Sequence, residues 1–150
     1  AAAGRAMTEV AFHFNAPEKL AYACRLLRKA CAGGARVVVT GHPALLRELD
    51  VALWTFSALD FVPHGQAGQM PPEQLARTPI VLAQVPGQAP HRQVLVNLGD
   101  ELPAGFEAFE RVIEVVTGDE AARQGARRRW KQYAEGGYPI VRHDLKESRA

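Results

Sequence analysis

Serine is nearly missing from this chain: among 150 residues only Ser57 and Ser148 carry it. No Gly-x-Ser-x-Gly elbow is present, which excludes a serine hydrolase built on that turn. Cysteine is scarce as well, with Cys24 and Cys31 alone. On a helix, seven residues separate Cα atoms by about 10 Å, beyond the roughly 7 Å that a disulfide tolerates. The expectation is a reduced, cytoplasmic protein with buried thiols. Neither Cys-x-x-Cys nor His-Glu-x-x-His spacing occurs, and His13, His42, His64, His91 and His143 are scattered, so no metal site is expected. Glycine-rich phosphate loops are absent too. The turn Phe14-Asn15-Ala16-Pro17 has no glycine to let backbone amides approach a pyrophosphate. No apolar run approaches the roughly 18 residues of a membrane helix, so no membrane partner is expected. Nothing that remains composes a catalytic site, and no cofactor is called for.

What is present suits one domain with a sizeable core: 47% of residues are hydrophobic and 23% charged. The net charge of +2 hides an asymmetry. Residues 1–120 hold 10 Lys and Arg against 13 Asp and Glu, a net of −3. Residues 121–150 hold 8 against 3, a net of +5. A basic end on an acidic body points to an acidic partner. Residues 1–6 lack the apolar centre of a signal peptide; Met7 reads as the start and residues 1–6 as a cloning remnant.

The elements alternate. Val10, Phe12 and Phe14 have strand periodicity. Asn15 with Glu18 reads as a capping box for a helix whose stripe is Leu20, Ala23, Cys24, Leu27 and Cys31, ended by Gly33-Gly34. Arg36–Thr40 is a strand buried on both faces, and Pro43–Trp54 a helix. Six of ten prolines fall between Pro63 and Pro90, which predicts long loops around one strand, Ile80–Gln84. Strands at Val94–Leu98 and Val112–Val116, a helical turn over Pro103–Phe109 and a helix over Glu120–Ala134 complete the pattern. The expected fold is α/β: a single three-layer domain with a mainly parallel central sheet, Rossmann-like without a phosphate-binding glycine loop. Its predicted bounds are residues 7–142, followed by a C-terminal tail at 143–150.

Two surfaces stand out. On the second helix, Trp54 lies about 140° from the apolar stripe, with Phe61, Val62, Pro63 and His64 shortly after it. This is either a satellite of the core under the following loop or an apolar docking patch. On the last helix, Arg123, Arg127, Trp130 and Lys131 share an arc of about 100°, while Arg128 and Arg129 point elsewhere. Such an arc is either a solvated basic face or a site for an acidic peptide, its terminal carboxylate and an apolar side chain. Nucleic acid is a further option, with cations on phosphates and Trp130 on a base.

The segment Leu49-Asp50-Val51-Ala52-Leu53-Trp54, followed by Phe61-Val62-Pro63-His64 and Ala67-Gly68, resembles the signature of the chi subunit of bacterial DNA polymerase III. The resemblance extends in order from Met7 to Arg142. It implies a non-catalytic α/β accessory protein of the clamp loader in DNA replication. Two partner surfaces are implied. The residues matching Trp54, Phe61, Val62, Pro63 and His64 face the psi subunit, or a repair helicase at the same place. Those matching Arg123, Arg127, Trp130 and Lys131, with Val116 from the preceding strand, hold the acidic C-terminal tail of single-stranded-DNA-binding protein. DNA is then contacted only indirectly. Trp130 replaces the tyrosine of better-known relatives, and Gly65-Gln66 replaces their usual Asn-Leu. The alternatives are direct binding of single-stranded nucleic acid, or a small α/β nucleotide-dependent enzyme with polar groups converging at strand C-termini.

Overall fold

The computed structural model describes residues 7–55 and 62–146. Residues 1–6, Phe61 and the end of the expected tail from 147 onward lie outside the described residues. The strands are β1 (Glu9–Ala16), β2 (Val37–Thr40), β3 (His64–Gln66), β4 (Ile80–Leu82), β5 (Val94–Asn97), β6 (Arg111–Thr117) and β7 (Ile140–Asp144). The helices are α1 (Lys19–Ala32), α2 (Pro43–Thr55), α3 (Pro72–Ala76) and α4 (Glu120–Glu135). The strands form one sheet in the order β3-β4-β2-β5-β6-β1-β7, with every pairing parallel.

Period-two patterning divides the core. Val37 and Val39 of β2 face α1 and α2, where Ala23, Cys24, Leu27, Leu46, Leu49 and Leu53 cover them. Val38 points the other way, into a cluster with Leu75 of α3 and Ala126 and Tyr133 of α4. Helices on both faces make three layers, which is why the inner strands are apolar throughout. Burial of that area is the main stabilising term, at roughly 25 cal/mol per Å².

Three local expectations are corrected. Asn15 does not cap α1: the cap is Glu18, whose carboxylate accepts from the Ala21 amide at 2.5 Å. Asn15 instead takes φ 62° at a register shift in β1 and donates to Asp144 Oδ1 at 2.9 Å. The Pro-rich middle holds more than one strand, since β3 and α3 precede β4. The chain also returns as β7 beside β1 through Asp144, past residue 142, so His143 and Asp144 belong to the sheet.

Candidate functional site

The last helix is built to present one flank. Asp119 caps it, accepting from the Ala122 amide at 3.1 Å, and Gly136 closes it. Its hydrogen bonds from Thr117 and from the backbone hold the Asp119 carboxyl below the usual carboxylate range. The inward stripe is Gly125, Ala126, Arg129 and Tyr133. Arg129, which the helical wheel turns away from the basic arc, is 5% exposed. Its Nε donates to Glu114 Oε1 at 3.0 Å and its Nη1 to the Asp100 carbonyl at 2.8 Å. Tyr133 donates to Glu114 Oε2 at 2.8 Å, and the Asn97 amide donates to both oxygens at 3.1 Å. Burial pushes the Glu114 carboxyl upward, opposed by the Arg129 charge and these donors. The network ties α4 to β5 and β6. Its signal in the sequence is one carboxylate inside Val112-Ile113-Glu114-Val115-Val116, which requires a buried cation or donors on the helix above.

The outward flank carries Arg123, Arg127 and Lys131, all exposed. Arg127 Nη1 lies 3.8 Å from Glu120 Oε1, an exposed pair worth at most about 1 kcal/mol. Between these cations and the sheet sits Trp130, half-buried. Its ring centroid is 5.0 Å from Phe12 and 6.1 Å from Phe14, with 28° between the planes of Trp130 and Phe14. The sheet thus holds the indole still while one side stays accessible. Four of the five expected residues therefore share one flank. Val116 does not join them: it is 1% exposed in the core and lines a recess on the opposite side of α4, with Arg128 and Arg129.

The second surface is sharper than expected at one residue and different at two. Trp54 is 58% exposed and Val51 62% exposed, on the outer side of α2. Val62 and His64 are buried instead, at 2% and 6%. His64 Nδ1 donates to the Val62 carbonyl at 2.6 Å, and its Nε2 lies 3.3 Å from Asp50 Oδ1. The Trp54 ring is 4.8 Å from that imidazole, so His64 supports the indole from below and does not itself meet a partner. Pro63 is half-buried. Beside α2, Leu20, Ala44, Val51 and Ala52 line a shallow groove.

The crevice at the C-terminal ends of β2, β4 and β5 is where open α/β sheets bind ligands. Here a cavity of about 300 Å³ is lined by Thr40, His42, Gln84, Asn97 and Asp100, among others. Its polar groups are engaged with one another. Thr40 donates to the Gln84 carbonyl at 2.9 Å, Asn97 serves Glu114, and His42 Nε2 meets Asp100 Oδ2 at 2.9 Å. The His42 contact holds the Asp100 carboxyl low. At the start of α1, where nucleotide-binding proteins of this architecture hold a phosphate, the Glu18 carboxylate occupies the Ala21 amide. Among the described residues no cluster of three metal-ligating side chains forms, and no helix is long and apolar enough to cross a membrane.

Comparison with known proteins finds one family and three relatives of the same name. The family model described as DNA polymerase III chi subunit, HolC, matches residues 7–141. A DNA polymerase III subunit chi of Pseudomonas aeruginosa is 36% identical over 144 residues, 93% of this chain and 98% of the relative. The Haemophilus influenzae protein of that name is 31% identical over 123 residues, 79% of this chain and 81% of its own. The one from Escherichia coli is 28% identical over 119 residues, 78% of this chain and 79% of its own.

Proposed function

The chain belongs to the DNA polymerase III chi subunit family, accessory subunits of the replicase, and from that premise we propose that it is a non-catalytic tether with two protein-binding faces. The α4 flank takes the acidic C-terminal tail of single-stranded-DNA-binding protein. The Trp54 side of α2 takes the psi subunit. The observation that carries this reading is the Trp130 indole, fixed on Phe12 and Phe14 and bordered by Arg123, Arg127 and Lys131.

Each component has a physical role. The cations draw in the carboxylates of the tail and pair with them; guanidinium forks match carboxylates with two parallel hydrogen bonds. The indole face buries the apolar side chain at the end of the tail. Exposed ion pairs contribute only about 0–1 kcal/mol each, so a single tail binds modestly. Many tails on one coated strand strengthen attachment by raising the effective concentration.

The test is a titration of tail peptide against the wild type and Arg127→Ala at low salt. Loss of binding in the variant supports the assignment; equal affinity overturns it. Trp54→Ala is expected to lose psi in a pull-down and keep the tail. If the protein alone bound single-stranded DNA at micromolar concentration with a steep salt slope, the face would instead be a nucleic-acid site.

A further inference from the structure

Next to the cavity at the ends of β2, β4 and β5 lies a second one, whose polar side chains are not engaged. After β2 the chain passes to the face covered by α2. After β4 it passes to the other face, where Ala89 packs with Val38 and Leu75. β2 and β4 are neighbours in the sheet, so the two connections part and leave a crevice, the place where open α/β sheets take ligands. A cavity of about 260 Å³ opens there. Gln66, Gln69, Gln84 and Gln88 line it, with Arg47 of α2. The chain has eight glutamines, so half of them converge on this one crevice. Two tight turns bring them together. Gly68 at φ 88° lets the chain reverse over 66–69, and the Gln69 amide donates to the Gln66 carbonyl at 3.1 Å. Thr40 holds the Gln84 carbonyl at 2.9 Å, and the turn Pro86–Gln88 returns Gln88 to the same cavity. The buried Leu46 and Leu82 supply an apolar wall. Among the described residues, neither the four side-chain amides nor Arg47 makes a side-chain hydrogen bond or ion pair, and no carboxylate lines the cavity.

We propose that this cavity binds a monomeric nucleotide: the glutamine amides read the edge of the base, and Arg47 takes the phosphate. The inference rests on neither the tail-binding nor the psi-binding reading. The chemistry of the wall selects the ligand class. A side-chain amide presents a donor and an acceptor together, which matches the adjacent donor and acceptor on a base edge; glutamine meets adenine in this way through two bonds. The guanidinium calls for an oxyanion on the same ligand. The lack of a carboxylate argues against a ligand with an ammonium group, such as a free amino acid. Drug-sized ligands occupy roughly 300–1,000 Å³. This cavity is smaller, and admits a single ring system with the sugar and phosphate at its mouth, where Arg47 is exposed. A glycine-rich loop is not required, because one side chain holds the phosphate.

The experiment titrates the full chain with the common nucleoside 5′-monophosphates, their nucleosides and inorganic phosphate, read by calorimetry and by saturation transfer to the base protons. At least one monophosphate is expected to bind, and its nucleoside about fivefold more weakly. Gln66→Leu with Gln69→Leu removes two amides at similar volume and is expected to weaken the monophosphate about tenfold. Arg47→Ala should bring the monophosphate to the level of its nucleoside and leave the nucleoside unchanged. Thermal midpoints should stay at the parent value, because none of these side chains is buried. Should the double change lower the midpoint, Gln88→Leu on the second turn carries the test, with an expected loss of about fivefold. Arg127→Ala is the control for place and should bind the monophosphate as the parent does. Absence of monophosphate binding at about millimolar concentration overturns the proposal, whether or not a single-stranded oligonucleotide binds. So does glutamine removal that leaves affinity within about twofold of the parent, or inorganic phosphate that binds as tightly as the nucleotide. Loss of the nucleotide in Arg127→Ala overturns it as well, since the ligand would then sit on the α4 flank.

Discussion

Glu114 and Arg129 form the most deeply buried ion pair among the described residues, and such a pair is costly to break from one side. Both side chains are almost fully removed from water. Removing one leaves the other charged and unpaired, a loss of about 3–5 kcal/mol. Arg129→Met is therefore expected to lower stability by that amount in chemical denaturation. The double change Glu114→Leu with Arg129→Met should recover much of it. A single variant within about 1 kcal/mol of wild type would contradict the assignment. His13 makes a separate case. Burial, then the nearby His143 and Arg111, lowers its pKa to about 4 from 6.5. Its neutral ring meets the Tyr22 hydroxyl at 2.5 Å. The unfolded chain binds this proton more tightly, so stability is full above about pH 6.5 and declines as pH falls toward about 4. The ring is partly solvated, so the decline amounts to on the order of 2 kcal/mol. Thermal midpoints from pH 7 to about 4 should fall, and His13→Leu should flatten part of that fall.

At the scale of elements, the strands with strong apolar runs were legible: β1, β2, β4, β5 and β6 all follow from Val, Ile, Leu and Phe patterning. β3 and β7 were not, for one shared reason. Both are edge strands, and a strand paired on one side only carries polar residues, as His64-Gly65-Gln66 and Arg142-His143-Asp144 do. α3 has five residues, too few for a periodicity to register. On α4 the wheel placed Arg123, Arg127, Trp130 and Lys131 together, because helical geometry alone decides that. It had no means of setting Phe12 or Phe14 beside them, since those contacts depend on strand order. Nor did it separate the buried Val62 and His64 from the exposed Trp54, since a helical wheel ends where the helix ends. Removal of residues 139–146 should uncover the second edge of β1. The expected outcome is self-association on size-exclusion chromatography.

For the molecule as a whole, the two faces sit on different layers. α2 lies with α1 on one side of the sheet, and α4 on the other. The two faces share no helix, so occupancy of one face should leave the other unchanged. Calorimetric titration of psi with and without saturating tail peptide should give the same affinity. The faces should differ in salt response. Raising salt from about 50 to about 300 mM shortens the reach of exposed charges and should weaken the tail, while the apolar contact at Trp54 should hold.

The placement of β1 carries a consequence in time. Nine residues into the chain, this strand finds its neighbours at Arg111–Thr117 and Ile140–Asp144. During synthesis β2 to β5 emerge with their partners close behind, but β1 must wait for most of the remaining chain to leave the ribosome. Phe12 and Phe14 of β1 support Trp130 of α4, so the binding face is joined from the earliest and the latest parts of the translated domain. A chain that stops before α4 lacks that face altogether. The attachment proposed for the α4 flank therefore requires a chain translated at least through α4.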